Sequence, residues 1–263
     1  MKIIVWTPDY NEASGGIVCL HKLCHLLREK GEDAYVIGAP NPAFDTPVIN
    51  FNKIDPSEDV VIYPEIYDGN PAGVKKVVRW FLNKPGIMGG SGMYGVNDWV
   101  YHFSPIFWDE RSRGQLTVFN LHEELFHPPE EEVEREGSLF LVHKGRENPR
   151  RPYTEDATEI FLNTPNKWLL FQKAEVFYSY DPATFVSIQA AMCGCESVVI
   201  PHPNGNYHKW RQQPNYKYGI SYGLEQREQK KAELDLVTPW LKLLEKDTSV
   251  MIDKLLFDIK NWR

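Results

Sequence analysis

Basic side chains cluster in one short segment of an otherwise acidic chain. Lys144, Arg146, Arg150 and Arg151 fall within eight positions, although the 263 residues carry a formal net charge of −7. The segment follows the apolar run FLVH, which is typical of a strand. In open α/β sheets ligands bind at the carboxyl ends of strands, where Lys or Arg can stabilise a leaving diphosphate. We therefore interpret Lys144 and Arg146 as candidate catalytic residues; a solvated basic loop is the alternative.

A second segment, YSYDPATFVSIQAAMCGCESVVIP, places polar residues at the start of a predicted helix. An apolar strand ends at Tyr180, an Asp-Pro pair follows, and the helix pattern continues to a glycine. Free N–H groups at a helix start attract anions, so Tyr180, Asp181 and Thr184 are candidate substrate-binding residues. Gln189 lies about two turns inside the helix and is a further candidate. Asp-Pro is also an ordinary pair for the cap and first position of a helix, so capping remains an alternative role for Asp181.

A third candidate is the loop NEASGG, which precedes a helix that begins near Ile17. Gly15 and Gly16 would let the backbone approach a ligand at the helix start, although glycines in such turns often serve packing alone. The sequence GSGMYG (90–95) matches GxGxxG formally. We interpret it as a surface loop, because it neither follows a predicted strand nor opens a helix.

No pattern in the sequence indicates a metal site. There is no Asp-x-Asp pair to hold a divalent ion against a diphosphate, and the histidines of HEELFH are five apart, unlike those of HExxH. Neither close pair of cysteines has CxxC spacing, so buried, reduced thiols are favoured over a zinc site. We therefore expect no metal and no other cofactor.

The elements that must position these residues alternate between strands and helices. In the first half we predict strands at 2–6, 33–38 and 60–65, and helices at 17–27 and 73–82. In the second half we predict strands at 116–121, 139–143, 175–180 and 197–201, and helices at 164–173, 181–194, 225–246 and 249–262. This alternation implies parallel sheets covered on both faces, in two βαβ blocks that meet near residues 111–115.

Composition narrows the class of protein. With 42% hydrophobic and 25% charged residues, the chain has the balance of an ordinary globular protein. The negative net charge argues against nucleic acid as a partner. The N-terminus shows no signal-peptide pattern and no run is long enough to span a bilayer, so we expect a cytoplasmic protein with at most peripheral membrane contact.

The order of these segments resembles the two-Rossmann-domain (GT-B) glycosyltransferases, in particular small bacterial or viral members of the group 1 type. SGGIVCLHKLCHLLREKGEDAYVI is similar to their opening segment, NLHEELFHPP to the turn between their domains, and FLVHKGR to the strand and basic turn that grips the donor diphosphate. TFVSIQAAMCGCESVVIP is similar to their donor helix and the strand after it. YGISYGLEQREQKKA resembles the segment before their C-terminal helices.

The resemblance implies an α/β fold of two Rossmann-like domains facing a cleft. Residues 1–115 would form the acceptor-side domain, with 246–263 crossing back to it, and 116–245 would bind a nucleotide-diphosphate sugar such as a UDP- or GDP-sugar. The apolar face of the last helix (Ile252, Leu255, Leu256, Ile259) would pack on the first domain, membrane docking being the alternative. The acceptor would be a glycan or a lipid-linked glycan in polysaccharide biosynthesis. A general base, if one is needed, would come from Glu12, His21 or Glu65.

Departures from the family pattern keep two other classes of protein open. The E-x7-E pair of the superfamily falls on Asp181 and Gln189, so both glutamates are replaced. A non-catalytic protein of the same fold that binds sugar nucleotides or carbohydrate is therefore one alternative. A single-Rossmann sugar-nucleotide epimerase or dehydrogenase is the other, although NEASGG does not supply its glycine fingerprint.

Overall fold

A computed structural model describes residues 1–149 and 157–262. The chain forms two compact units, the first made of Met1–Asn120 with Glu245–Arg263 and the second of Leu121–Leu244. Each unit is built on one sheet in which every described strand pairing is parallel. The predicted α/β class with two Rossmann-like units is therefore confirmed.

The sheet of the first unit has six strands within the described residues, in the order β2-β1-β3-β4-β5-β6. The strands are β1 (Ile3–Val5), β2 (Ala34–Val36), β3 (Val60–Pro64), β4 (Lys76–Phe81), β5 (Trp99–His102) and β6 (Ser112–Gln115). The first three confirm predictions. β5 and β6 were not predicted, because each is short and lies among polar and Gly-rich residues that carry little alternation.

In the part of the chain that the structure describes, α-helices cover one face of this sheet. One apolar cluster joins alternate strand residues such as Ile3 and Ile62 to α1 (Gly15–Glu29) and to the end of the last helix. The opposite cluster, around Ile4, Val61 and Val77, is completed by residues of irregular segments, such as Ile49, Ile54 and Ala72. The expectation that helices cover both faces is therefore wrong for this unit.

The predicted helix at 73–82 is wrong, because this segment forms strand β4. Its sequence KVVRWF is β-branched and aromatic, and five of its six residues are buried. A central strand of a parallel sheet is buried on both faces, so it lacks the alternation that separates a strand from a helix. The predicted strand at 116–121 is also absent, since these residues make no ladder. The loop at 90–95 is confirmed, with Gly90 and Gly92 at positive φ.

The sheet of the second unit has five strands among the described residues, in the order β11-β10-β9-β7-β8. The strands are β7 (Ser138–Leu141), β8 (Thr158–Glu159), β9 (Val176–Ser179), β10 (Glu196–Val199) and β11 (Ile220–Tyr222). Leu141 pairs with Ser179, and Ser179 pairs with Val199. The carboxyl ends of β7, β9 and β10 therefore lie side by side at one edge.

Among the described residues, four helices accompany this sheet: α2 (Lys167–Lys173), α3 (Phe185–Met192), α4 (Tyr207–Trp210) and α5 (Arg227–Lys231). The last helix, α6, is continuous over Val237–Lys260, whereas two helices broken near residue 247 were predicted. Its residues Ile252, Leu255, Leu256 and Ile259 are buried in the core of the first unit, which confirms the predicted packing of that face. No helix within the described ranges has both the length and the apolar content that a membrane crossing requires.

Candidate functional site

A tight turn follows β7 at the carboxyl edge of the second sheet. His143–Gly145 form one 3-10 turn, closed by the Gly145 N–H donating to the Val142 carbonyl over 2.7 Å. A Cβ atom on Gly145 would lie 2.2 Å from the Tyr180 carbonyl oxygen, so only glycine allows this turn to pack against the backbone after β9. The predicted strand reaches only Leu141, and Lys144 and Arg146 therefore belong to a turn and not to a strand.

The turn brings two basic side chains to one buried carboxylate. His143 Nδ1 donates to Asp181 Oδ2 over 2.8 Å, and Lys144 Nζ lies 3.2 Å from the same oxygen. The other oxygen, Oδ1, accepts from the Ala183 N–H over 2.9 Å. Asp181 is 1% exposed, whereas the His143 and Lys144 side chains are 25% and 24% exposed. The carboxylate is thus buried, and the two basic side chains that contact it are partly exposed.

The environment of Asp181 favours its charged form. Burial raises the pKa of this carboxyl group, but the hydrogen bond from His143, the charge of Lys144 and the Ala183 N–H lower it, and the net direction is downward. Asp181 is consequently an anion at neutral pH and can only accept hydrogen bonds.

Helix α3 begins close to this carboxylate, and Thr184 is its N-cap. The Thr184 backbone is extended, and its Oγ1 accepts from the Val186 N–H over 3.3 Å. The alternative role of Asp181 as the helix cap is therefore wrong. Its carboxylate accepts from the Ala183 N–H, which lies before the helix, and Thr184 is the residue that caps α3. The positive end of the helix dipole at this start favours a nearby anion.

The carbonyl groups between Asp181 and α3 are held from behind by buried side chains. Trp210 Nε1 donates to the Pro182 carbonyl over 2.9 Å, and the Tyr216 hydroxyl donates to the Thr184 carbonyl over 2.8 Å. Burial, with a contribution from the Asp181 charge, raises the pKa of Tyr216 well above its ordinary value. Tyr216 therefore stays a neutral donor, and the loop that carries Asp181 has a fixed shape.

The turn is also tied to the neighbouring strand β10. Asn148 is 1% exposed, and its Nδ2 donates to the carbonyls of Ile200 and Pro201 over 3.1 and 3.2 Å. The segment from His143 to Asn148 is thus fixed to the ends of both β9 and β10. A site held in this way is preorganised for a ligand.

The remaining predicted residues of this unit lie at different depths. Tyr180 is 2% exposed and packs with Val176, Tyr178 and Val198. Gln189 is half-buried in α3, and Arg146 is exposed at the end of the turn. Arg150 and Arg151 lie outside the described residues. The structure thus brings Lys144, Asp181 and Thr184 to one edge. The roles predicted for these three residues, and for Tyr180, Gln189 and Arg146, remain predictions.

Gly15 and Gly16 lie in the first unit, at the start of α1. Ser14 caps this helix, with its Oγ accepting from the Ile17 N–H over 3.5 Å. A Cβ atom on Gly16 would meet only Leu82 Cδ1, at 3.7 Å, which is an ordinary contact. Packing therefore does not demand glycine at position 16, and its predicted ligand role remains a prediction.

The three candidate general bases of the first unit differ in accessibility. His21 is fully buried, with Nε2 3.3 Å from the Pro8 carbonyl oxygen, and burial lowers its pKa despite that carbonyl and Asp9. Glu65 is 3% exposed, and its Oε2 accepts from the Leu82 N–H over 2.9 Å. Glu12 is exposed in the loop before α1. Their accessibility favours Glu12 over the two buried side chains.

Thiols and metal ligands contribute nothing recognisable to the site. All four cysteines fall in the described part of the chain and are free; Cys24, Cys193 and Cys195 are buried, and Cys19 is half-buried. Burial raises the pKa of Cys24 and Cys193 to about 12, so these thiols are protonated and inert. Within the described ranges, no three His, Cys, Asp or Glu side chains are grouped so as to hold a metal ion.

Sequence reasoning missed one residue of the site, His143. As the last residue of the predicted strand at 139–143, His143 has no particular role that alternation would indicate. Its position directly before Lys144, beyond the end of an apolar run, was the available signal. Its contact with Asp181 depends on the pairing of β7 with β9, which the sequence does not reveal.

Comparisons with known proteins give only distant structural likenesses. No family model matches the chain, and no curated protein matches its sequence. The fold is similar to T4 phage β-glucosyltransferase, with 12% identity, a TM-score of 0.44 and coverage of 100% of this chain and 97% of that chain. A structure of T4 phage BGT in complex with its UDP-glucose substrate has 11% identity and a TM-score of 0.44, with coverage of 100% of this chain and 97% of that chain. MurG of Acinetobacter baumannii has 10% identity and a TM-score of 0.39, with coverage of 95% of this chain and 93% of that chain. At these identities and TM-scores the likenesses carry no functional conclusion.

Proposed function

We propose that the protein is a glycosyltransferase that moves a sugar from a nucleotide-diphosphate sugar to a glycan or lipid-linked glycan. One observation carries the proposal: Lys144 and His143 are gathered on the buried carboxylate of Asp181, at the carboxyl edge of a parallel sheet and beside the start of α3. Cations beside a helix start form a site for a dense negative charge such as a diphosphate. The ordered resemblance of the sequence segments to GT-B glycosyltransferases supports the same function.

In this proposal Lys144 acts on the leaving group. As the bond between the anomeric carbon and the diphosphate oxygen breaks, its electron pair stays on that oxygen, and the diphosphate gains negative charge. Lys144, with Arg146 next to it in the chain segment and the positive end of the α3 dipole, stabilises this charge most strongly in the transition state. The chemistry needs no metal in this scheme, because protein cations carry the compensating charge.

Asp181 has an indirect role in the proposed site. Both of its oxygens already hold groups of the protein, so it positions His143 and Lys144 and does not compete with them for the donor. The Thr184 hydroxyl and Gln189 remain candidates for donor hydroxyl groups. Gly15 and Gly16, at the start of α1 in the first unit, remain candidates for backbone contact with a substrate. Glu12 is the most accessible base, should the acceptor hydroxyl need one.

The same proposal includes UDP- or GDP-sugars as donors, a cytoplasmic location with at most peripheral membrane contact, and a role in polysaccharide biosynthesis. The test begins with thermal unfolding of the full chain in the presence of UDP-, GDP-, ADP- and CMP-sugars. A ligand at about 100 times its dissociation constant adds about 2.7 kcal/mol, which is an easily measured shift. A donor found in this way is then assayed for transfer and for hydrolysis. Binding with neither reaction would favour the non-catalytic alternative, and no binding would overturn both.

A further inference from the structure

His143 has a backbone conformation that few residues with a side chain adopt. Its φ is 40°, in the left-handed region, where His, Asn and Asp are the least disfavoured non-glycine residues. The conformation places the ring on Asp181, whose carboxylate accepts from Nδ1. Unusual backbone geometry persists where the surroundings fix it, and it concentrates at functional sites. Here the packing of Gly145 on Tyr180 and the bonds of Asn148 to β10 hold the turn.

The contact with Asp181 fixes which nitrogen of the ring carries a proton. An ionised carboxylate only accepts, so Nδ1 must be the donor. In the neutral ring Nε2 is then an unprotonated acceptor, which would repel a phosphate oxygen. Once protonated, the ring keeps its bond to Asp181 and presents an Nε2–H donor. The side chain is 25% exposed, so part of it is accessible to solvent or a ligand.

The charges around His143 come from two elements. The loop after β9 supplies Asp181, and the turn itself supplies Lys144 and, at its exposed end, Arg146. The end of β10 contributes the neutral carbonyls of Ile200 and Pro201, bound by Asn148. With a neutral His143, Asp181 and Lys144 cancel formally. Protonation of His143 gives this group of three a net positive charge beside the start of α3.

We propose that the diphosphate of the donor binds with uptake of one proton by His143, which then bonds a phosphate oxygen through Nε2 as an imidazolium, with Asp181 as its positioning residue. The proposal rests on the proposed function, because it names a further donor contact of that site. It makes donor affinity increase as the pH falls towards the ordinary histidine range, since a bound anion favours the charged ring.

The test is calorimetry of the full chain with UDP-glucose and GDP-mannose, whose diphosphates have no group that titrates near neutrality. Titrations at about pH 6 and about pH 8, each in two buffers of different ionisation enthalpy, measure proton uptake directly. We expect binding near pH 8 to take up a proton. The affinity should be higher near pH 6 than near pH 8, by up to about tenfold for each pH unit over which the proton is taken up. NMR of the imidazole nitrogens should show the Nδ1–H form without ligand and the doubly protonated ring with it.

His143→Asn removes Nε2 and keeps a side-chain donor for Asp181. Asparagine tolerates positive φ, and its side-chain amide can donate to Asp181 as Nδ1 does, so the turn should fold; His143→Gln is the second variant, checked by its melting temperature. Both should bind with an affinity that no longer changes with pH. Lys144→Ala should weaken binding at both pH values and keep the proton uptake.

Binding without proton uptake, or an unchanged pH dependence in His143→Asn, would overturn the role of His143 alone. Failure of both nucleotide sugars to bind at either pH would instead remove the proposed function.

Discussion

His143 donates to Asp181 across a distance of 2.8 Å, although 38 positions separate the two residues in the chain. The pairing of β7 with β9 explains the contact. Leu141 lies opposite Ser179 at the last rung of this parallel ladder, and each of the two site residues follows its strand by two positions. The sheet therefore delivers the basic turn and the buried carboxylate to the same place at its carboxyl edge. This is the edge where open α/β sheets bind ligands.

Asp181→Asn should lower both stability and donor affinity. The amide can still accept from Ala183, but the charges of Lys144 and His143 lose their partner. Because hydrogen bonds to charged groups contribute about 1.5–3 kcal/mol, we expect a loss of that order in the free energy of unfolding, measured with urea at neutral pH. Unchanged stability together with unchanged donor binding would reduce Asp181 to a turn residue.

The pH dependence of the same variant checks the cause. The pKa of Asp181 is lowered from its ordinary value of 3.8, so its contribution to stability is complete above that value and is lost as the pH falls through the lowered pKa. The difference in unfolding free energy between wild type and Asp181→Asn should therefore be present at about pH 7 and should narrow below about pH 4, where Asp181 itself becomes protonated. A difference that grows below about pH 4 would contradict the assigned direction.

Gly16→Ala should separate packing from ligand approach at the start of α1. The added methyl group makes only an ordinary contact with Leu82, and alanine in a helix is favoured over glycine by roughly 0.5–1 kcal/mol. We expect equal or higher stability in thermal unfolding. If the backbone at this glycine approaches the donor, nucleotide-sugar affinity should fall at the same time. Unchanged affinity would leave Gly16 without a ligand role.

The position of the site was more predictable than its chemistry. Lys144, Asp181 and Thr184 were identified because apolar runs end just before basic or polar residues, and this signal is local. The partners of Asp181 were not identifiable, since its contacts with His143 and Lys144 depend on which strands are neighbours. The role of Asp181 as a helix cap was a plausible local alternative, and only the coordinates show that Thr184 caps α3 instead.

The same distinction holds for the fold. β1, β3, β9 and β10 were predicted from apolar runs. β4 was predicted as a helix because a strand buried on both faces has no alternation to identify it. Its identity as a strand is set by pairing with β3 and β5, which is tertiary information. The continuous helix α6 was predicted as two pieces, because polar residues near Asp247 interrupt the apolar pattern without ending the helix.

Leu255→Ala should strongly destabilise the first unit. Leu255 is fully buried in the core that joins α6 to the first sheet, and truncations of this kind cost about 2–5 kcal/mol. Phe257→Ala, at a position 67% exposed on the same helix, is the matched control and should change stability by less than about 0.5 kcal/mol.

Co-sedimentation with liposomes should be negligible for wild type. A clear membrane affinity that Phe257→Ala removes would favour peripheral docking through the exposed face of α6.

Transfer by the wild-type protein should survive EDTA. In the proposed site the charge of the leaving diphosphate is met by Lys144 and by the start of α3, so a divalent ion is not required for this role. Turnover of the identified donor is compared before and after chelation, and again after manganese or magnesium is added back. A strict requirement that added metal restores would show that the compensating charge is not supplied by the protein alone.

Lys144→Ala is the most direct test of the site. Losing one charge-assisted contact of about 1.5–3 kcal/mol should reduce donor transfer by about 10- to 100-fold. The loss should appear in kcat as well as in KM, because charge on the diphosphate grows towards the transition state. Arg146→Ala should act in the same direction and more weakly, since that residue lies exposed at the end of the turn. Lys173→Ala is the matched control, an exposed lysine at the end of α2, and should leave both constants unchanged. A fall in transfer for Lys173→Ala equal to that for Lys144→Ala would point to overall charge. A rise in KM with kcat unchanged in Lys144→Ala would leave Lys144 outside the chemical step.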